Sequence, residues 1–129
     1  MISLSKQDKS DLKNLGIKAL VLFGSQAQGV ANEESDYDFF IIGPKSEKTY
    51  DFLYDILSEK INRLVDIDIV FEADTPMELK MHVCKYGKVL YENGNYVFAD
   101  FKQKTMLDYS DFAPLRSVFS NATISRINP

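Results

Sequence analysis

The sequence predicts an α/β domain in which about four strands are flanked by helices. Three observations predict it: two apolar runs bounded by glycine, IKALVLFGS and DYDFFIIGP; strict alternation in VDIDIV; and intervening segments whose apolar residues recur at helical spacing. At 129 residues the chain is long enough to bury one hydrophobic core, and a single domain is expected over residues 1–129.

The elements follow in order. In LSKQDKSDLKNL, Leu4, Leu12 and Leu15 stand among charges, Ser5 is placed to cap a short helix, and Gly16 ends it. The run after Gly16 predicts a buried strand over 17–23 that stops at Gly24. SQAQGVANEES is polar and turn-rich. From Asp36 a second apolar strand begins directly behind two aspartates and closes at Gly43 and Pro44. A helix over 46–63 carries Tyr50, Leu53, Tyr54, Leu57 and Ile61 as one apolar stripe.

LVDIDIVFEA alternates over 65–70, so Val65, Ile67 and Ile69 share one face and Asp66 and Asp68 the other. Thr75, Pro76 and Glu78 supply a cap, a first-turn proline and an N-terminal acid for a helix to about Tyr86, with Gly87 as its stop. KVLYE is a short strand. A last helix, from about Tyr96 to beyond Asp111, presents Phe98, Phe101, Thr105, Tyr109 and Phe112 on its apolar face, and Pro114 breaks it.

Composition narrows the function. The 45% hydrophobic and 26% charged fractions are those of an ordinary folded protein. A net charge of −4 supplies no positive field for extended nucleic acid, although a nucleotide held through metal ions stays compatible with it. One cysteine, Cys84, excludes an internal disulfide, and MISLSKQDKS lacks the apolar stretch of a secretory signal, so a reducing cytoplasm is expected. No window approaches the roughly 20 apolar residues that cross a bilayer, so no membrane partner is expected.

Three features in order carry chemistry: a strand ending in Gly24-Ser25, an Asp36-x-Asp38 pair at the head of the next strand, and Asp68 within a third. Residues two apart on a strand point the same way, so Asp36 and Asp38 present both carboxylates to one side. Such a pair repels itself unless a cation lies between, and Mg2+ favours one or two carboxylates together with phosphate oxygens. A third carboxylate on a neighbouring strand completes a two-metal site, with Asp68 the first choice and Asp66 the reserve. Gly24 lets backbone approach a phosphate, and Ser25 adds a hydroxyl and the start of a short helix.

Each feature has a plainer explanation. FGS ends many strands, SDYD forms solvated turns, and VDIDIV suits a strand with one wet face. Aspartate is nonetheless a poor strand former, and two at alternate positions repel each other. A calcium loop fits badly, because FFIIG follows the pair in place of alternating oxygen ligands. His82 and Cys84 have no third soft ligand and are expected to be structural.

Together, LFGSQAQGVANEESDYDFFII resembles the GSxARG and SDxDxxV signature of the minimal nucleotidyltransferases of the DNA polymerase beta superfamily. VDIDIV is similar to that family's third-aspartate strand and KYGKVLYENG to its LYE segment, so the resemblance spans a core of about 15–112 and leaves 113–129 as a tail. It implies a nucleotidyltransferase fold, a mixed sheet flanked by helices, with Gly24 and Ser25 on the triphosphate of ATP and Asp36, Asp38 and Asp68 on two Mg2+ ions. Gln28 stands where the family motif has arginine.

Members of this size with an LYE segment look like antitoxins that silence a HEPN-domain toxin by moving AMP to one of its tyrosines. A protein substrate also suits a chain with no second domain to hold another, and the aromatic last helix offers a docking face. Two alternatives stand beside this expectation: a binding subunit that neutralises its partner by contact, and nucleotidylation of a small molecule. A homo-oligomer stays open as a further kind of partner.

Overall fold

A computed structural model describes residues 2–31 and 35–111. Helix α1 (Lys6–Asn14) opens with a capping box: the Ser5 hydroxyl accepts from the Asp8 amide at 3.1 Å, and the Asp8 carboxylate accepts from the Ser5 amide at 2.9 Å. The Ile17 amide returns to the carbonyl of Leu12, which delays strand β1 to Ala19–Phe23, two residues later than the apolar run suggests. All five β1 residues are buried, as befits a strand covered on both faces.

The remaining elements are α2 (Ser25–Gln28), β2 (Tyr37–Ile42), α3 (Glu47–Ile61), β3 (Ile67–Phe71), a 3-10 turn (Glu72–Asp74), α4 (Met77–Tyr86), β4 (Lys88–Glu92) and α5 (Val97–Asp111). They build one mixed sheet in the order β3-β2-β1-β4. Strand β1 runs antiparallel to β2 and β4, while β2 and β3 are parallel. Parallel neighbours need a crossover, and α3 supplies it.

Side chains alternate across the sheet, so each strand feeds two cores. One face joins Leu20, Leu22, Phe39 and Ile41 to Leu12 of α1 and Leu53, Leu57 and Ile61 of α3. The other joins Val21, Phe23 and Phe40 to Val83 of α4 and Phe98 and Phe101 of α5. Asp38 shares the parity of Phe40, and Asp68 alternates with the buried Ile67 and Ile69, so both carboxylates stand on the α4 side of the sheet.

Several expectations are corrected. Thr75 does not cap α4; its hydroxyl donates to the Phe71 carbonyl at 2.7 Å, and Pro76 precedes the helix without a side-chain cap. Gly87 does end α4, for a steric reason: a Cβ there would stand 2.5 Å from the Val83 carbonyl and 2.7 Å from Val21. Strand β3 starts at Ile67, after Val65. On α3, Leu53, Leu57 and Ile61 are buried, but Tyr50 and Tyr54 lie 37% and 40% exposed. The α5 aromatics Phe98 and Phe101 are buried in the second core and Thr105 is buried too, so this part of the helix face is no free docking surface. Phe112, Pro114 and the tail lie outside the described residues, within which no helix is long and apolar enough to cross a membrane.

Candidate active site

Strand β1 ends where β2 begins: Phe23 and Asp38 are register partners across the antiparallel pair. Gly24 follows with φ 77°, a left-handed backbone that favours glycine, and α2 starts at Ser25 as the sequence suggests. A Cβ at Gly24 would fall 2.3 Å from Asp38 Oδ2. The strand-end glycine thus leaves room for the aspartate's carboxylate.

On the other side of β2, Asp38 and Asp68 are register partners in the parallel pair, and both line a cavity of about 630 Å3 with Phe23, Gly24, Glu78 and His82. Burial pushes the Asp38 carboxyl above its ordinary range, and the negative charge of Asp68, a hydrogen bond shared with it and the charge of Asp36 push the same way. Asp66 has the same parity as Asp68 but sits at the strand's head. Its carbonyl takes the Tyr37 amide at 3.0 Å, and it lines a second groove of about 800 Å3 with Asp36, Tyr54, Arg63 and Leu64. Asp68, rather than Asp66, therefore shares a cavity with Asp38 and Gly24.

The donor set suits a hard cation, because mutually repelling carboxylates are relieved by positive charge. As the side chains stand, no three His, Cys, Asp or Glu groups among the described residues are drawn into one metal-holding cluster. The fit rests on the Asp38–Asp68 pair, with the exposed Asp36 next to it.

Two residues without a sequence signal of their own join this region. The His82 ring lies edge-on to Phe23 at 6.2 Å and tilted on Tyr86 at 4.9 Å, and its charge opposes the rise at Asp38. It packs on these rings, as a structural histidine would, and also lines the cavity. Its spacing from Glu78, one helical turn along α4, was the only hint available. Gln26 donates to the Ser35 carbonyl at 3.2 Å and ties α2 to the residue before Asp36. Cys84 is buried, as expected, with burial raising its thiol and Thr105 as its hydrogen-bond partner.

A family model described as polymerase beta, nucleotidyltransferase matches residues 7–96. The chain belongs to this nucleotidyltransferase family. It is 37% identical over 109 residues to the protein adenylyltransferase MntA of Aphanizomenon flos-aquae, covering 74% of this chain and 70% of that one. It is 32% identical over 82 residues to a putative protein adenylyltransferase of Methanocaldococcus jannaschii, covering 58% of this chain and 79% of the relative.

The family fold recurs in solved structures. A toxin-antitoxin structure with AMP-PNP contains a chain that superposes with a TM-score of 0.69 at 21% identity, over 92% of this chain and 99% of that one. A complex of tri-AMPylated Shewanella oneidensis HEPN toxin with MNT antitoxin gives 0.61 at 17% identity, over 93% and 99%. The mixed four-stranded sheet flanked by helices is the shared architecture.

Proposed function

We propose that this chain is a Mg2+-dependent protein adenylyltransferase of the cytoplasm that moves AMP from ATP to a tyrosine of a HEPN-domain toxin and so acts as its antitoxin. The observation that carries the reading is the meeting of Asp38, Asp68 and Gly24 at one cavity, in a chain 37% identical to a protein adenylyltransferase over 74% of its length. The complexes of HEPN toxin with related folds support the choice of partner.

In this reading Asp36, Asp38 and Asp68 hold up to two Mg2+ ions, which when bound supply positive charge against the triphosphate. Gly24 and Ser25 bring backbone and hydroxyl to the phosphates at the start of α2. The exposed Asp68 carboxylate accepts the phenolic proton as the tyrosine oxygen attacks the α-phosphorus in line. A new oxygen–phosphorus bond forms, the bond from the α-phosphorus to the β-bridging oxygen breaks, and pyrophosphate leaves with the electron pair. Asp38, the partly buried member, is the register partner of Asp68 across the parallel pair, so the two carboxylates would hold the cation together.

Labelled ATP, magnesium and a purified HEPN-domain toxin test the reading. Label should pass to the toxin, and Asp36→Asn with Asp38→Asn should abolish the transfer; label transfer that survives the double variant defeats the mechanism. One observation favours a second reading, neutralisation by contact alone: Gln28, exposed at the end of α2, lacks the charge of the family's arginine. Silencing of the toxin at equimolar ratio by the double asparagine variant would establish it.

A further inference from the structure

The proposed protein substrate needs a surface that leads its acceptor hydroxyl to Asp68. On the expected one, the aromatic face of α5, Phe98 and Phe101 are committed to the core. Tyr86 and Tyr96 are exposed too, but the exposed tyrosines that line the carboxylate cavities lie on α3. Tyr50 and Tyr54 stack with ring centroids 6.2 Å apart, and both residues are more than a third exposed.

Their position relative to the carboxylates is specific. Tyr50 lines the cavity that holds Asp38 and Asp68, whereas Tyr54 lines the adjoining groove that holds Asp36 and Asp66. The far wall of that groove is Leu64, whose side chain is fully exposed. An aromatic and aliphatic strip thus runs from one carboxylate cavity to the other.

Beside the two tyrosines the exposed Asp51 and Asp55 line the same surface, and with Asp36 and Asp66 they make it acidic. The cation within the groove, Arg63, is engaged with Tyr37: its guanidinium lies 5.6 Å from the ring centroid and donates to the phenol oxygen. Exposed aromatic residues next to acidic ones favour a basic partner with apolar anchors.

Resting on the adenylyltransferase reading, we infer that the Tyr50–Tyr54–Leu64 strip, with Asp51 and Asp55, docks a basic segment of the toxin and delivers its acceptor tyrosine along α3 to Asp68. Aromatic anchors supply affinity, and the acidic side chains set orientation and association rate.

The test uses the full chain in two double variants, Tyr54→Ser with Leu64→Ser and Asp51→Lys with Asp55→Lys. Neither touches the residues assigned to phosphate or metal. Each should raise the KM and Kd for the HEPN toxin about tenfold or more, leave kcat at saturating toxin within about twofold, and leave AMP-PNP affinity unchanged. A control pair on α5, Met106→Ser with Leu107→Ser, should change none of these. Toxin binding that matches the native chain in both α3 variants overturns the inference, as does loss confined to the α5 pair. So does a native chain that binds no toxin, or an α3 variant that only dissociates a homodimer. A native chain that binds the toxin without labelling it, and whose binding is lost in the α3 variants, supports this surface while removing the catalytic reading.

Discussion

Asp38 sets its carboxylate against the α-carbon of Gly24, where a methyl group would stand 2.3 Å from Oδ2. The contact couples the end of β1 to the head of β2, and the left-handed φ of 77° adds a second reason for glycine. Gly24→Ala should therefore cost about 1–3 kcal/mol of stability through backbone strain and the clash. It should also lower label transfer by roughly 100-fold, because a displacement near 1 Å at reacting groups costs that much. Urea denaturation and single-turnover transfer check both effects; a variant with native transfer would separate the glycine from the chemistry.

Asp38 should trade stability for function. Burial first, then the charges of Asp68 and Asp36, raise its pKa in the folded chain above the unfolded value. The folded form thus holds its proton more tightly than the unfolded form. No penalty exists below the unfolded pKa; it grows as pH rises and is complete above the folded pKa. Asp38→Asn removes an ionisable group from this place, so the variant should melt about 2–5 °C above the native chain at pH 7, without magnesium, and show a smaller gain at pH 4. A gain that is equal at both values, or absent, contradicts this account.

Asp8 runs the other way. Its pKa is lowered by the Lys60 ammonium at 2.8 Å and by the Ser5 amide, so it joins the α1 cap to the end of α3. Stability from this group is present above the unfolded pKa and lost as pH falls through the folded pKa. Asp8→Ala should cost about 1 kcal/mol at pH 7, chiefly through the cap, and much less near pH 2. Denaturant midpoints at the two values decide it, and a cost that persists in acid would point to packing.

The sequence made the strands and the carboxylates legible because both depend on local pattern. Gly24, Asp36, Asp38 and Asp68 are marked by alternation and strand ends, and the register places Asp38 opposite Asp68. What was illegible depends on the third dimension. His82 meets Asp38 only because α4 packs over that face of the sheet. The five-residue stripe of α3 is wider than the surface it packs on, which leaves Tyr50 and Tyr54 at its margin. An apolar helix face cannot announce whether it meets a core or a partner, and so the aromatics of α5 were assigned to docking although Phe98 stacks on Phe101 inside. Thr75 stands where a cap is expected, but the nearby Phe71 carbonyl holds its hydroxyl.

Gln28 offers a test of what charge is worth beside the phosphates. It is the last residue of α2, exposed, one residue before Gly29 turns the chain with φ 73°. Glutamine keeps hydrogen-bond donors but lacks the fixed positive fork that neutralises phosphate oxygens. If the site catalyses AMP transfer, Gln28→Arg should raise kcat/KM for the toxin by roughly tenfold, the scale of one added charge-assisted hydrogen bond. The gain should shrink as ionic strength rises, since an exposed charge is screened. Stopped-time transfer assays at low and high salt measure it. An unchanged rate in the arginine variant, alongside brisk transfer by the native chain, would mean that the carboxylates and the Gly24-Ser25 turn suffice; no transfer in either would favour neutralisation by contact.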